Sequence, residues 1–192
     1  AWSMRDAESF LGAVARQPAR FRQLKRIRTQ VFTTVVQLDA QIVRSAEPIP
    51  FAELSDYPWE PLRAGAAWGR KLDCAWIHVT GSFDPAAIAG RTASVLFGLR
   101  GEALIHSPDG ALLDGVNSVW IERELPDAHG KWRPIRNLDL STGRVDFFAD
   151  AAYNGFLIYD VGRAVFHGAT VAIRDDDAHD LYYDYLTLVV LA

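Results

Sequence analysis

From Val31 onward, short apolar stretches alternate with Gly, Pro, Asn and Asp at intervals of about ten residues, the rhythm of β-strands joined by turns. Predicted strands are CAWIHVTGSF (74–83), ASVLFGL (93–99), EALIHS (102–107), ALLDGV (111–116) and SVWIERE (118–124), followed by PIRNLDL (134–140), RVDFFADAAYN (144–154), FLIYDVG (156–162) and ATVAIRD (169–175). VFTTVVQLDAQIV (31–43) is rich in β-branched residues and predicts one more. EALIHSPDGALLDG holds two Asp-Gly pairs, and SPDG and LDG both read as hairpin turns because Asp and Gly tolerate positive φ.

A helical period replaces the strand period at the two ends. DAESFLGAVARQ has apolar residues at helical spacing up to Pro18, and a second helix is expected from about Ala19 to Arg28. At the other end Leu181, Tyr182, Tyr185, Leu188, Val189 and Ala192 recur every three or four residues, behind an N-cap and favourable charge from Asp175 to Asp177. This helix runs into LVVLA without a Gly, a closing cation or a Pro, and the one methionine is Met4; the expectation is a chain cut from something longer. Residues 46–70 contain four prolines and two glycines and are expected to be a connector with little regular structure. The resulting division is a basic helical segment plus strand (1–45), an antiparallel β-sandwich (46–175) and a linker helix (176–192).

Composition narrows the class. At 192 residues, with 49% hydrophobic and 23% charged positions, the chain has the make-up of one soluble domain. No apolar run approaches the roughly 18 residues of a membrane helix, the start has no signal core, and a single cysteine fits a reducing compartment, so a cytoplasmic location is expected. The net charge of −4 is uneven. Residues 1–45 are basic, with Arg20, Arg22, Lys25, Arg26 and Arg28 close together. No nucleic-acid motif accompanies them, and a solvated or interface helix is expected in place of nucleic-acid binding.

The chemistry expected of an enzyme is missing. His78, His106, His129, His167 and His179 lack metal-ligand spacing, and no GxSxG, P-loop or GxGxxG is present. Cys74 has no neighbouring activator and reads as a packing residue. His179 with Asp175, Asp176, Asp177 and Asp180 is the one local set of cation ligands, and a helix start explains those carboxylates without a metal. No catalytic or metal-binding residue is assigned. Among the tryptophans, Trp59 and Trp132 lie in Pro-containing loops and are the expected exposed contacts, able to stack on sugar rings or on a neighbouring chain. Asp109 in SPDG and Asn154 before Gly155 are the polar candidates for the same role, each also explained as a turn device.

Four blocks, in order and spacing, resemble the N-terminal region of glycoside hydrolase family 38 α-mannosidases of the cytosolic or bacterial type: FRQLKRIRTQVF; AWGRKLDCAWIHVTGSFDPAAIAGRTASVLFGL; GEALIHSPDGALLDGV; and FFADAAYNGFLI with VAIRDDDAHDLYYDYLTLVVLA. His78 stands where that family usually carries a bulky aromatic residue. The resemblance implies a jelly-roll, galactose-binding-like sandwich, its C-terminal helix leading toward a catalytic barrel domain. It implies a parent enzyme that hydrolyses α-linked mannose with retention, using an Asp nucleophile and zinc held in that barrel, with mannose-containing glycans as substrates and homo-oligomers as the assembly. None of those positions falls within these residues, so no cofactor is expected in this stretch. Two other readings stay open: a free-standing carbohydrate-binding sandwich, and a structural or oligomerisation domain working through the basic helix.

Overall fold

The computed structural model describes residues 18–70, 72–117, 128–154 and 163–191. The expected elements at 6–17, 118–124 and 156–162 lie outside them. Helix α1 (Pro18–Arg28) leads into β1 (Phe32–Gln37) and β2 (Asp39–Ser45). There follow β3 (Glu60–Pro61), β4 (Ala67–Gly69), β5 (Cys74–Ser82), β6 (Ala93–Leu99), β7 (Glu102–His106), β8 (Leu112–Asn117), β9 (Arg133–Ile135), β10 (Arg144–Ala152) and β11 (Ala164–Arg174), before helix α2 (Asp176–Leu191).

The strands form two antiparallel sheets packed as a sandwich. One has six strands in the order β3-β2-β5-β10-β7-β8; the other has β1-β11-β6-β9, with β4 also paired to β11. Period-two alternation puts Ala75, Ile77 and Val79 of β5 and Val145, Phe147, Ala149 and Ala151 of β10 on the inner face. They meet Val95, Phe97 and Leu99 of β6 and Phe166, Ala169 and Val171 of β11 in one buried cluster. Phe97 sits at its centre, 5.8 Å from Phe147 and 5.9 Å from Phe166 between ring centroids. Trp68 of β4 is fully buried and donates its Nε1 hydrogen to the carbonyl of Arg100 at 3.0 Å.

Three expectations need correcting. Residues 31–43 are not one strand: β1 and β2 belong to opposite sheets, with Leu38 as the crossing point. The Leu38 amide donates to Ala169 O at 2.9 Å, and its side chain fills the space that Gly81 leaves open. LDG is not a turn, because Leu113, Asp114 and Gly115 lie within β8 and only SPDG reverses the chain. The 46–70 connector contains a 3₁₀ segment, Phe51–Asp56, besides β3 and β4.

The two helices pack on each other. Leu24, Ile27 and Val31 from the α1 side meet Tyr182 and Leu186 of α2 in a second small core. Asp175 caps α2 by accepting the Ala178 amide hydrogen at 2.8 Å. Of the expected α2 stripe Tyr182 and Val189 are buried, whereas Leu181 and Leu188 are exposed, and Leu186, outside that stripe, takes their place in the core. No helix of the described residues is long and apolar enough to cross a membrane.

Candidate functional site

The outer face of the six-stranded sheet collects the side chains with chemical character. Strand alternation turns Trp76 and His78 of β5, Phe148 and Asp150 of β10, and Glu102, Leu104 and His106 of β7 outward. Register aligns Gln41, His78, Phe148 and His106 in one row across four strands. His78 lies flat on Phe148, 4.1 Å away with planes 4° apart, and its Nε2 is 2.8 Å from Asp146 Oδ1.

The segment after β2 folds back over this row. Ile49 and Leu54 are buried against Val43 and Trp76, and Trp76 Nε1 donates to Ile49 O at 2.8 Å. Phe51 meets Trp76 and Phe148 edge-on at 5.5 and 5.3 Å. Trp59 does the same to His78 and Phe148, each at 5.8 Å. Beneath this cover the His106 Nδ1 hydrogen bonds to Gly110 O at 3.1 Å, while His106 Nε2 is buried without a partner.

Beyond the cover the face is polar and open. Glu102 accepts hydrogen bonds from the amides of Asn117 and Asn154, each at 3.3 Å. Leu104 next to it keeps 48% of its surface exposed. Burial pushes the Asp150 carboxyl above the usual carboxylate range, against the opposing pull of His106. The Cys74 thiol is likewise pushed up, first by burial and then by Asp150, Glu47 and Asp73, which suits an inert thiol and not a nucleophile.

The four expected contact residues do not converge. Trp59 is half-buried in the cover and Asn154 stands beside Glu102 at the open end. Asp109 sits at the exposed tip of the β7–β8 turn, where hydrogen bonds from the Ser107 hydroxyl, then from the Ala111 and Asp109 amides, hold its carboxyl below the usual range. Trp132 immediately precedes β9 of the other sheet, lying half-buried over Gly98 and Gly168. The residue that sequence reasoning passed over is Asp114. Placed in a supposed turn, it instead receives the Arg136 guanidinium and amide and the Gly115 amide. Burial raises its carboxyl, and those hydrogen bonds outweigh burial and hold it below the usual range.

Zinc does not fit the donors present. At the α2 start Asp175 is spent on capping, Asp176 is bound by Arg174 at 2.6 Å and Thr92 at 3.0 Å, and His179 is 3.2 Å from Asp180. Among the described residues no group of three or more His, Cys, Asp or Glu is placed to hold a metal ion. A cavity of about 400 Å³ beside this helix start is lined by Thr33, Arg91, Thr92 and Arg174 among others. It holds no nucleophile–base pair.

Two antiparallel sheets around one core, with aromatic residues packed on the outside, define a jelly-roll sandwich. The Ams1-like alpha-mannosidase jelly roll domain matches residues 33–165, more than half of the chain, and the chain belongs to that family. The matched span opens in β1 and closes in β11, the two strands that pair along one edge of the sandwich. No curated protein matches the chain.

Proposed function

We propose that this chain is the accessory N-terminal sandwich of a cytoplasmic, metal-dependent retaining α-mannosidase of glycoside hydrolase family 38. The observation that carries the reading is the coincidence of the family match with the sandwich itself, from β1 to β11. In this account hydrolysis of α-linked mannose belongs to a barrel domain following α2, which supplies the Asp nucleophile and holds the zinc. The donors described above are taken up by capping and ion pairs, so no step of the reaction is assigned to them. The sandwich contributes a rigid body against which that domain folds.

Reading the gene beyond Ala192 and assaying both lengths on an aryl α-mannoside with added zinc tests this. The expected result is turnover by the longer product and none by the 192-residue chain. Turnover by the shorter chain, or a longer product that leaves the mannoside intact, overturns it.

A further inference from the structure

The segment that covers the outer ring row is held more lightly than the sheet beneath it. Within 46–59, Pro48, Pro50 and Pro58 have no amide hydrogen to offer a ladder, and the segment lies over the sheet without joining it as a strand. Ile49, Phe51, Leu54 and Trp59 turn inward, and the other residues of the segment are exposed. None of the four belongs to the core between the sheets; with Val43, Trp76 and Phe148 they form a cluster of their own. Among the described residues two hydrogen bonds join the segment to the sheet. The Glu47 amide donates to the hydroxyl of nearby Ser45 at 3.1 Å, and Trp76 Nε1 donates to Ile49 O at 2.8 Å. No ion pair among the described residues reaches it. At the far side Phe51 seats against Gly110 of the β7–β8 turn, where a Cβ would lie 2.9 Å from Phe51 Cδ1.

We propose that residues 46–59 form a lid that opens as one unit while both sheets stay folded, and that it sets when the row of Trp76, His78, Phe148 and His106 is accessible. A small set of apolar contacts, all of them outside the main core, is what a separately opening unit requires. Burial of Ile49 and Leu54 holds the lid shut. Closure also carries a cost: His106 Nε2 is buried without a partner, and water satisfies it once the lid lifts. Opening breaks no ladder, because β5 keeps its pairing with β2 on one side and β10 on the other. What it bares is a strip of rings already in place, His78 lying flat on Phe148 at 4.1 Å and Trp76 standing 5.4 Å from His106.

Two indoles report lid opening and global unfolding separately. Trp76 Nε1 is bonded to the lid, and Trp68 Nε1 to Arg100 O inside the core at 3.0 Å. Hydrogen exchange of both, followed by NMR on the 192-residue chain, is expected to run at least about a hundredfold faster at Trp76. Urea well below the unfolding midpoint should speed Trp68 steeply and Trp76 only slightly, because lid opening bares little surface. Val171 is fully buried between the sheets, away from the lid. Val171→Ala should speed Trp68 about tenfold or more and leave Trp76 within about twofold, since closed and open lids both keep that contact. Phe51→Ala should speed both indoles, because its contacts are absent from the open lid and from the unfolded chain alike. The urea comparison uses the wild-type chain and decides the matter even where a variant fails to fold. Indoles that exchange at one rate with one urea dependence overturn the proposal, and so does a Val171→Ala effect of equal size on both.

Discussion

Asp114 Oδ1 lies 2.9 Å from the Arg136 guanidinium, and this pair ties the edge of one sheet to the end of the other. Asp114 is in β8, the edge strand of the six-stranded sheet, and Arg136 immediately follows β9 of the five-stranded one. The arrangement is lopsided: the Asp114 side chain is only 5% exposed and that of Arg136 is 77% exposed. The carboxylate also accepts the backbone hydrogens of Arg136 and Gly115, both at 2.8 Å. The Arg136 amide bond joins the two sheets alongside the ion pair, while the Gly115 bond stays within β8 and fixes the carboxylate.

Asp114→Ala should therefore destabilise the chain by about 1–3 kcal/mol, since it strands two backbone donors. Arg136→Ala should cost less than about 1 kcal/mol, as expected of an exposed partner. Urea unfolding of the two variants measures the difference. The Asp114 carboxyl is held below its unfolded value, so its contribution is present above about pH 4 and disappears as pH falls through the lower folded value. The gap between wild type and Asp114→Ala should narrow over that acid range.

Asp150 behaves in the opposite sense. Its folded carboxyl lies above the unfolded value, so ionisation opposes folding at neutral pH, and the opposition vanishes as pH falls below the unfolded value near 4. Asp150→Asn should be more stable than wild type at pH 7 and lose that advantage at acid pH. Thermal melts at both pH values decide it, and a less stable variant at pH 7 would show that the carboxylate has a role that burial does not describe.

Gly98 and Gly115 offer a matched pair. A Cβ on Gly98 would lie 2.8 Å from His167 Cβ and 3.0 Å from the Trp132 ring, whereas one on Gly115 would meet only Leu104 Cδ2 at 3.7 Å. Gly98→Ala should cost about 1–3 kcal/mol by overpacking and shift tryptophan emission. Gly115→Ala should stay within about 0.5 kcal/mol of wild type, as surface changes usually do.

Trp59→Ala should remove the cover from His78 and Phe148 and cost about 2 kcal/mol, less than the 3–5 of a fully buried tryptophan. The same variant should speed hydrogen exchange of the amides in 74–82, because the outer face of β5 loses its shield. Equal exchange in variant and wild type would mean that the segment after β2 does not protect the sheet.

How much of this was legible in the sequence differs from element to element. RVDFFADAAYN displays its buried and exposed faces openly, because period-two alternation survives in β10 without interruption. The break at Leu38 was invisible: β-branched residues continue across it, and only pairing with Ala169 and the gap over Gly81 mark the change of sheet. LDG misled because Asp-Gly also suits a strand position where the carboxylate is needed for a distant partner, here Arg136. The sequence places the tryptophans in the β region, but what covers Trp132 and what Trp59 covers depend on residues tens of positions away. The helical period of the C-terminal segment is legible, but not its buried face: Leu181 and Leu188 of the expected stripe are exposed and Leu186, outside it, is buried, because the docking surface lies on Leu24 and Ile27 of α1.

On the proposed function the sandwich supports an α-mannosidase without touching the bond that is cut. Introducing Asp114→Ala into the longer gene product and following aryl α-mannoside hydrolysis against temperature tests it most directly. The account predicts kcat and KM within about twofold of the parent at 25 °C, with activity lost at a lower temperature as the sandwich unfolds. A fall in kcat of about tenfold or more at 25 °C, with the protein still folded, would contradict it and place the sandwich in the reaction itself.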